Sequence, residues 1–139
     1  MATAYAAPFA GHPLLLETDE QTLVGQWDRE RLRRLLANLL MNAAKYSADG
    51  ADVIVHVACE EGRVAVLEVR DRGIGIAATD LPHVFERYFR GANAVGAVAG
   101  SGLGLASALH IAEQHGGTIT VASDEASGSR FTVRLPIEV

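Results

Sequence analysis

The chain has a single cysteine, Cys59, among its 139 residues. That excludes an internal disulfide framework and any multi-cysteine zinc site. Lysine is equally scarce: Lys45 stands alone, and the other basic residues are arginines. Acidic residues outnumber basic ones by 17 to 12, a net charge of −5. A general nucleic-acid binder is thereby disfavoured, because duplex affinity rests on clustered Lys and Arg. The 4 prolines and 21% charged residues, set against 49% hydrophobic residues, exclude disordered and collagen-like chains. A chain of this length buries roughly 68–70% of its unfolded surface and needs no covalent staple.

Basic residues are absent from the N-terminal MATAYAAPFAGH stretch, so it is no secretory signal. Residues 1–11 are expected to be a boundary segment or linker, and residues 12–139 one domain. Charge is also absent from Gly91 to Ala112, but five glycines with Asn93, Ser101, Ser107 and His110 interrupt that run. It is not a membrane span. A cytoplasmic domain without membrane contact is expected. The five histidines are scattered with no metal-binding spacing. Cys59 and Trp27 read as structural.

What is present is a patterned α+β chain. Leu14–Glu17 and, more weakly, Leu23–Trp27 read as strands. Asp28 is a candidate N-cap for a helix over Arg29–Tyr46, where Leu32, Leu35, Leu36, Leu39, Leu40 and Ala43 recur at helical spacing. Val53–Val57 and Val64–Val69 form a hairpin across Glu61-Gly62. Thr79–Phe85 reads as a short helix with Pro82 near its start. Gly102–His115 reads as a second long helix stopped by Gly116-Gly117. Thr118–Ser123 and Arg130–Leu135 form a closing hairpin. Hairpins outnumber crossovers, so helices should stack on one face of a largely antiparallel sheet.

Four constellations carry chemistry. Asn38, Asn42, Lys45 and Tyr46 share one stripe of the first helix, displaced from its leucines. A carboxamide oxygen is a neutral hard ligand suited to Mg²⁺, and a lysine one turn on suits phosphate. Asp71-Arg-Gly-Ile-Gly-Ile76 puts a carboxylate at a strand end, before glycines that let a flat ligand approach the backbone. Gly100-Ser-Gly-Leu-Gly-Leu105 opens a helix, where exposed N–H groups favour phosphate. It is neither a dinucleotide fingerprint, since Leu105 stands where Gly is needed, nor a Walker A loop. Phe85–Gly91 places Arg87 and Arg90 within reach of a phosphate tail, ahead of an uncharged Gly91–Ala99 run suited to a mobile lid. Each motif alone is also compatible with a solvated helix face, a capped turn, a glycine-rich helix start or an amphipathic helix.

Taken in order, the motifs resemble the ATP-binding catalytic domain of bacterial sensor histidine kinases, within the GHKL superfamily. NLLMNAAKYS (38–47) resembles its N box and DRGIGI (71–76) its first glycine box. VFERYFRG (84–91) resembles its F box, GSGLGLA (100–106) its second glycine box and GSRFTVRLP (128–136) its third. The resemblance implies a two-layer α/β sandwich: a mixed, mainly antiparallel five-stranded sheet backed by three helices, with a flexible ATP lid. It implies ATP and Mg²⁺ as cofactors. Asn42 would ligate Mg²⁺, with Asn38, Lys45 and Tyr46 lining the pocket. Asp71 would bond the adenine amino group and Gly75 would let the base sit flat, with Gly73 and Ile76 also in the ATP site. Arg87 and Arg90 would face the phosphates, with Arg90 reaching the γ-phosphate. Gly102, Gly104 and Leu105 would hold the phosphates and hinge the lid, Gly100 and Leu103 would also belong to the ATP site, and Ser129 would stand near adenine. Asn42, Lys45 and Arg90 are the expected catalytic residues.

Hydrolysing relatives carry a Glu where this chain has Asn38, and an Asn cannot act as a general base. That favours transfer to a protein acceptor. The third glycine box departs from the family pattern at Ala126, where an earlier Gly is usual. The sequence contains no recognisable acceptor-histidine motif. The expected partners are therefore a histidine-bearing dimerisation domain and a response regulator receiver domain, the isolated domain being monomeric. Two alternatives are a nucleotide-binding regulatory module without kinase activity and an anti-sigma-type serine kinase. The F box and Asn38 count against the second.

Overall fold

The computed structural model describes residues 2–9, 12–18, 24–47, 51–86, 104–124 and 128–137. Six strands form one sheet: β1 (Ala2–Phe9), β2 (His12–Thr18), β3 (Val53–Glu60), β4 (Val64–Arg70), β5 (Thr118–Asp124) and β6 (Gly128–Pro136). Their spatial order is β1-β2-β3-β4-β6-β5. Every pairing is antiparallel except β2 with β3. That parallel pair requires a crossover, and α1 (Arg29–Tyr46) lies between the two strands in the chain.

Helix α1 has the bounds its leucine spacing predicts. The Asp28 side chain accepts from the Arg31 amide at 3.0 Å, closing the first turn. At the other end Ser47 turns extended, while its amide still reaches the Ala43 carbonyl at 3.0 Å. Helix α2 (Gly104–Gln114) stops because Gly116 takes φ of 74°. The Gly117 amide then returns to Ala112 O at 2.8 Å and the Gly116 amide to Glu113 O at 3.0 Å, satisfying two end carbonyls.

Both helices pack on one face of the sheet. Leu35, Leu39 and Ala43 of α1 meet Ala108, Ile111 and Ala112 of α2 over Val53, Val55, Val69, Ile119, Phe131 and Val133. The inward residues alternate along β3 (Val53, Val55) and β6 (Phe131, Val133, Leu135), as a sheet covered on one face requires. Leu39 and Val133 are wholly buried, and each such aliphatic side chain contributes about 2 kcal/mol of transfer free energy.

Three expectations change. The sheet has six strands rather than five, because residues 2–9, within the stretch expected as a boundary segment, pair with β2. The helix expected over Thr79–Phe85 is a single 3₁₀ turn, Leu81–His83, so two α-helices rather than three back the sheet among the described residues. Pro82 offers no amide, and the segment closes by short bonds such as His83 N to Asp80 O at 2.9 Å. The weak strand Leu23–Trp27 is not one over its described part, 24–27. The Gln26 amide makes one bond to Ile137 O at 3.3 Å, and the Trp27 indole donates to Pro136 O at 3.0 Å. A Cβ on Gly25 would meet the Trp27 ring at 2.3 Å, so the ring folds back over the glycine instead of joining a ladder.

Candidate nucleotide-binding site

The site begins where β4 ends. Asp71 is 4% exposed and Ser129, at the start of β6, is 7% exposed. The Ser129 hydroxyl donates to Asp71 Oδ2 at 2.5 Å. Asp71 Oδ1 accepts from the amides of Gly73 at 3.1 Å and Ser129 at 3.2 Å. A carboxylate has about four acceptor positions. Two on Oδ1 and one on Oδ2 are taken, leaving one on Oδ2 for an incoming N–H donor. Burial raises the Asp71 pKa above the ordinary carboxylate value, and the bonds from Ser129 and Gly73 oppose that rise without cancelling it. A cleft of about 370 Å³ opens here, lined by Asp71, Ser123, Gly128 and Ser129 and rimmed by Arg70 and Arg130. Both rim arginines lean on Glu68, at 2.5 Å and 3.8 Å.

The glycines sort into distinct roles. A Cβ on Gly73 would lie 1.7 Å from Tyr46 O, so the loop can press against the end of α1 only with glycine there. The Ile74 amide donates to that same carbonyl at 3.1 Å, and Ser47 bridges Gly73. Tyr46 thus serves the loop through its backbone. Gly128 has φ of 97°, and a Cβ there would fall 2.2 Å from Asp71 O. Gly75 is buried with φ of 72°. Gly104 differs: a Cβ there would meet nothing nearer than the Asn38 side chain at 3.9 Å, an ordinary contact. Packing against the described residues does not demand glycine at 104.

The structure therefore brings Asp71 to Ser129, Gly73 to Tyr46 and Asn38 to Gly104. Asn42 is half-buried one turn beyond Asn38 on α1. Ile76 and Leu105 pack against the core, as does Phe85, whose ring meets Phe131 edge-on at 6.1 Å. Arg87, Arg90, Gly100, Gly102 and Leu103 lie outside the described residues, as do Ala126 and the Lys45 side chain. Among the described residues no cluster of His, Cys, Asp or Glu could hold a metal ion, and no helix is long and apolar enough to cross a membrane.

Ser123 was not singled out by sequence. Its hydroxyl accepts from the Ile76 amide at 2.7 Å and donates to Gly128 O at 3.0 Å. The signal was available: Ile119, Val121 and Ser123 share the inward register of β5, and a polar residue there needs a partner.

Residues 27–139 match the family model described as histidine kinase-, DNA gyrase B-, and HSP90-like ATPase. Over 110 residues the chain is 47% identical to the sensor-like histidine kinase SenX3 of Mycobacterium tuberculosis, covering 78% of this chain and 27% of that protein. It is 40% identical over 123 residues to the sensor histidine kinase YkoH of Bacillus subtilis, covering 88% and 26%. The chain thus spans about a quarter of the length of these relatives. Among solved structures, the mycobacterial sensor histidine kinase MprB superposes with a TM-score of 0.77 at 33% identity, covering 88% of this chain and 83% of that one. The catalytic domain of histidine kinase ThkA superposes at 0.80 with 23% identity, covering 94% and 83%, a likeness of fold. A family match over most of the chain, joined to a strand-end carboxylate held open beside glycines of fixed role, places it: the chain belongs to the histidine kinase-, DNA gyrase B-, and HSP90-like ATPase family, as an ATP-binding catalytic domain of the sensor histidine kinase type.

Proposed function

We propose that this domain binds Mg-ATP between α1, α2 and the 71–76 loop and donates the γ-phosphate to a histidine on a separate dimerisation domain. The phosphoryl group would pass from there to a response regulator receiver domain. The observation that carries the reading is the buried Asp71 carboxylate, whose three hydrogen bonds from Gly73 and Ser129 leave one acceptor position on Oδ2. An exocyclic amine of adenine fits that vacancy as donor.

The residues also suit a divalent ion. Asn38 and Asn42 offer neutral oxygen donors one helical turn apart, and Mg²⁺ completes its shell with phosphate and water rather than an all-protein cage. Asn42 would hold the ion, which supplies charge neutralisation at the phosphates. Lys45 and Arg90 would add cationic contacts to the same phosphates. Phosphoryl transfer asks for positioning and charge neutralisation more than for covalent chemistry. Asn38 beside Gly104 presents no carboxylate to activate water, which supports transfer over hydrolysis. The domain is proposed to work in the cytoplasm.

Calorimetric titration with a non-hydrolysable ATP analogue, with and without Mg²⁺, tests this. Saturable binding should weaken in Asp71→Asn, and Asn42→Ala should lose the Mg²⁺ dependence. Absence of binding by the folded wild-type domain would overturn the reading.

A further inference from the structure

The 71–76 loop is held at both ends by one hairpin. At its start, Ser129 of β6 grips Asp71 through its hydroxyl and amide, and the Asp71 amide returns to Ser129 O at 2.9 Å. At its end, the Ile76 amide donates to Ser123 Oγ at 2.7 Å, and the same hydroxyl donates its one hydrogen bond to Gly128 O at 3.0 Å. Ser123 and Ser129 are directly paired across β5 and β6. Gly128 lies so close to Asp71 O that no side chain fits between them.

A serine hydroxyl can donate once and accept. Here each role is used on a different segment: acceptor toward the loop, donor toward the hairpin. The spacing between the Ile76 backbone and the Asp71 carboxylate is therefore set by two serines facing each other on adjacent strands. Gly75, with φ of 72°, lies between those anchors. An alanine at 123 would leave the Ile76 amide and the Gly128 carbonyl without these bonds, and would free the far end of the loop while Asp71 stayed gripped.

We infer that Ser123 is a positioning residue for the nucleotide base: it holds the 75–76 backbone at the distance from Asp71 that a purine with a 6-amino group requires. The inference rests on the nucleotide-binding reading above. Its distinguishing consequence is a loss of base preference rather than a general loss of binding. Guanine carries a carbonyl where adenine carries its 6-amino group, so in the same pose it turns an acceptor toward Asp71 and gains nothing from a correctly spaced carboxylate; GTP affinity should be indifferent to Ser123.

The test titrates the 139-residue domain and its Ser123→Ala and Ser123→Thr variants with ATP and with GTP, and follows exchange of the Ile76 amide. Losing two hydrogen bonds at a half-buried hydroxyl predicts ATP binding about 10-fold weaker in Ser123→Ala. GTP binding should be unchanged, Ile76 exchange faster, and Ser123→Thr close to wild type. Should Ser123→Ala fail to fold, Ser123→Cys keeps the volume with a weaker donor and acceptor and carries the same comparison. An unchanged ATP-to-GTP preference, or equal weakening of both nucleotides, overturns the assignment while wild-type ATP binding stands. A folded wild type that binds no ATP overturns the nucleotide reading itself and this assignment with it.

Discussion

The Ser129 hydroxyl stands 2.5 Å from Asp71 Oδ2, and both residues are buried. The pairing spends one acceptor position of the carboxylate to orient the remaining one. Replacing Asp71 by Asn keeps the shape but removes the charge that accepts. ATP affinity should fall roughly 10- to 100-fold, the range for a hydrogen bond to a charged partner. The unliganded domain should melt at or above the wild-type temperature, because a buried ionised carboxylate carries a desolvation cost that the amide lacks. Calorimetric titration and thermal unfolding of one preparation read both.

Acid should move those two quantities in opposite directions. Burial raises the Asp71 pKa above its ordinary value, so the folded state takes up this proton more readily than the unfolded chain. The Asp71 contribution to stability therefore improves as pH falls through the raised value and is poorest once the group is ionised. The stability advantage of Asp71→Asn should accordingly shrink as pH drops through that window. ATP affinity of the wild type should decline over the same window, beginning above the pH at which an ordinary carboxylate titrates. Paired melting and titration series against the variant check the signs.

Glycines 104 and 128 should separate on substitution. Gly128→Ala meets both a φ of 97° and the Asp71 carbonyl, so it should cost about 3 kcal/mol in denaturant unfolding. Gly104→Ala has room for its methyl and should leave stability within about 0.5 kcal/mol. Weaker nucleotide binding in Gly104→Ala would then report contact with the ligand, free of any packing effect.

The core offers a control. Leu39 is wholly buried between the helices and the sheet, and Leu39→Ala should destabilise by about 3 kcal/mol. Nucleotide affinity of the remaining folded fraction should stay within twofold of wild type, which separates loss of fold from loss of site.

Local signals were legible wherever one strong physical rule acted alone. The leucine spacing and the Asp28 cap marked α1 to the residue, and the alternating valines of β3 and β4 marked their hairpin. Asp71 stood out as a carboxylate before glycines. Less legible was anything decided by tertiary partners. The 79–85 segment carries helix-start residues, yet Pro82 and short-range bonds close it as one 3₁₀ turn. Residues 2–9 show no strand alternation, and pairing with β2 supplies what the sequence does not announce. The glycine motifs looked uniform as text. Only distances distinguish Gly73 and Gly128, which make room for the protein's own backbone, from Gly104, which does not. Ser123 was hidden because its two partners lie 47 residues before it and 5 after it.

Strand β6 lies inside the sheet, between β4 and β5, although both of its neighbours precede it in the chain. Until residues 128–136 emerge from a ribosome, β4 and β5 have no shared partner, Asp71 has no Ser129, and the core lacks Phe131 and Val133. Competence to hold nucleotide and completion of the fold must therefore arrive together during synthesis. A nascent chain paused before residue 128 would expose the half-built sheet to chaperones with no ligand able to rescue it.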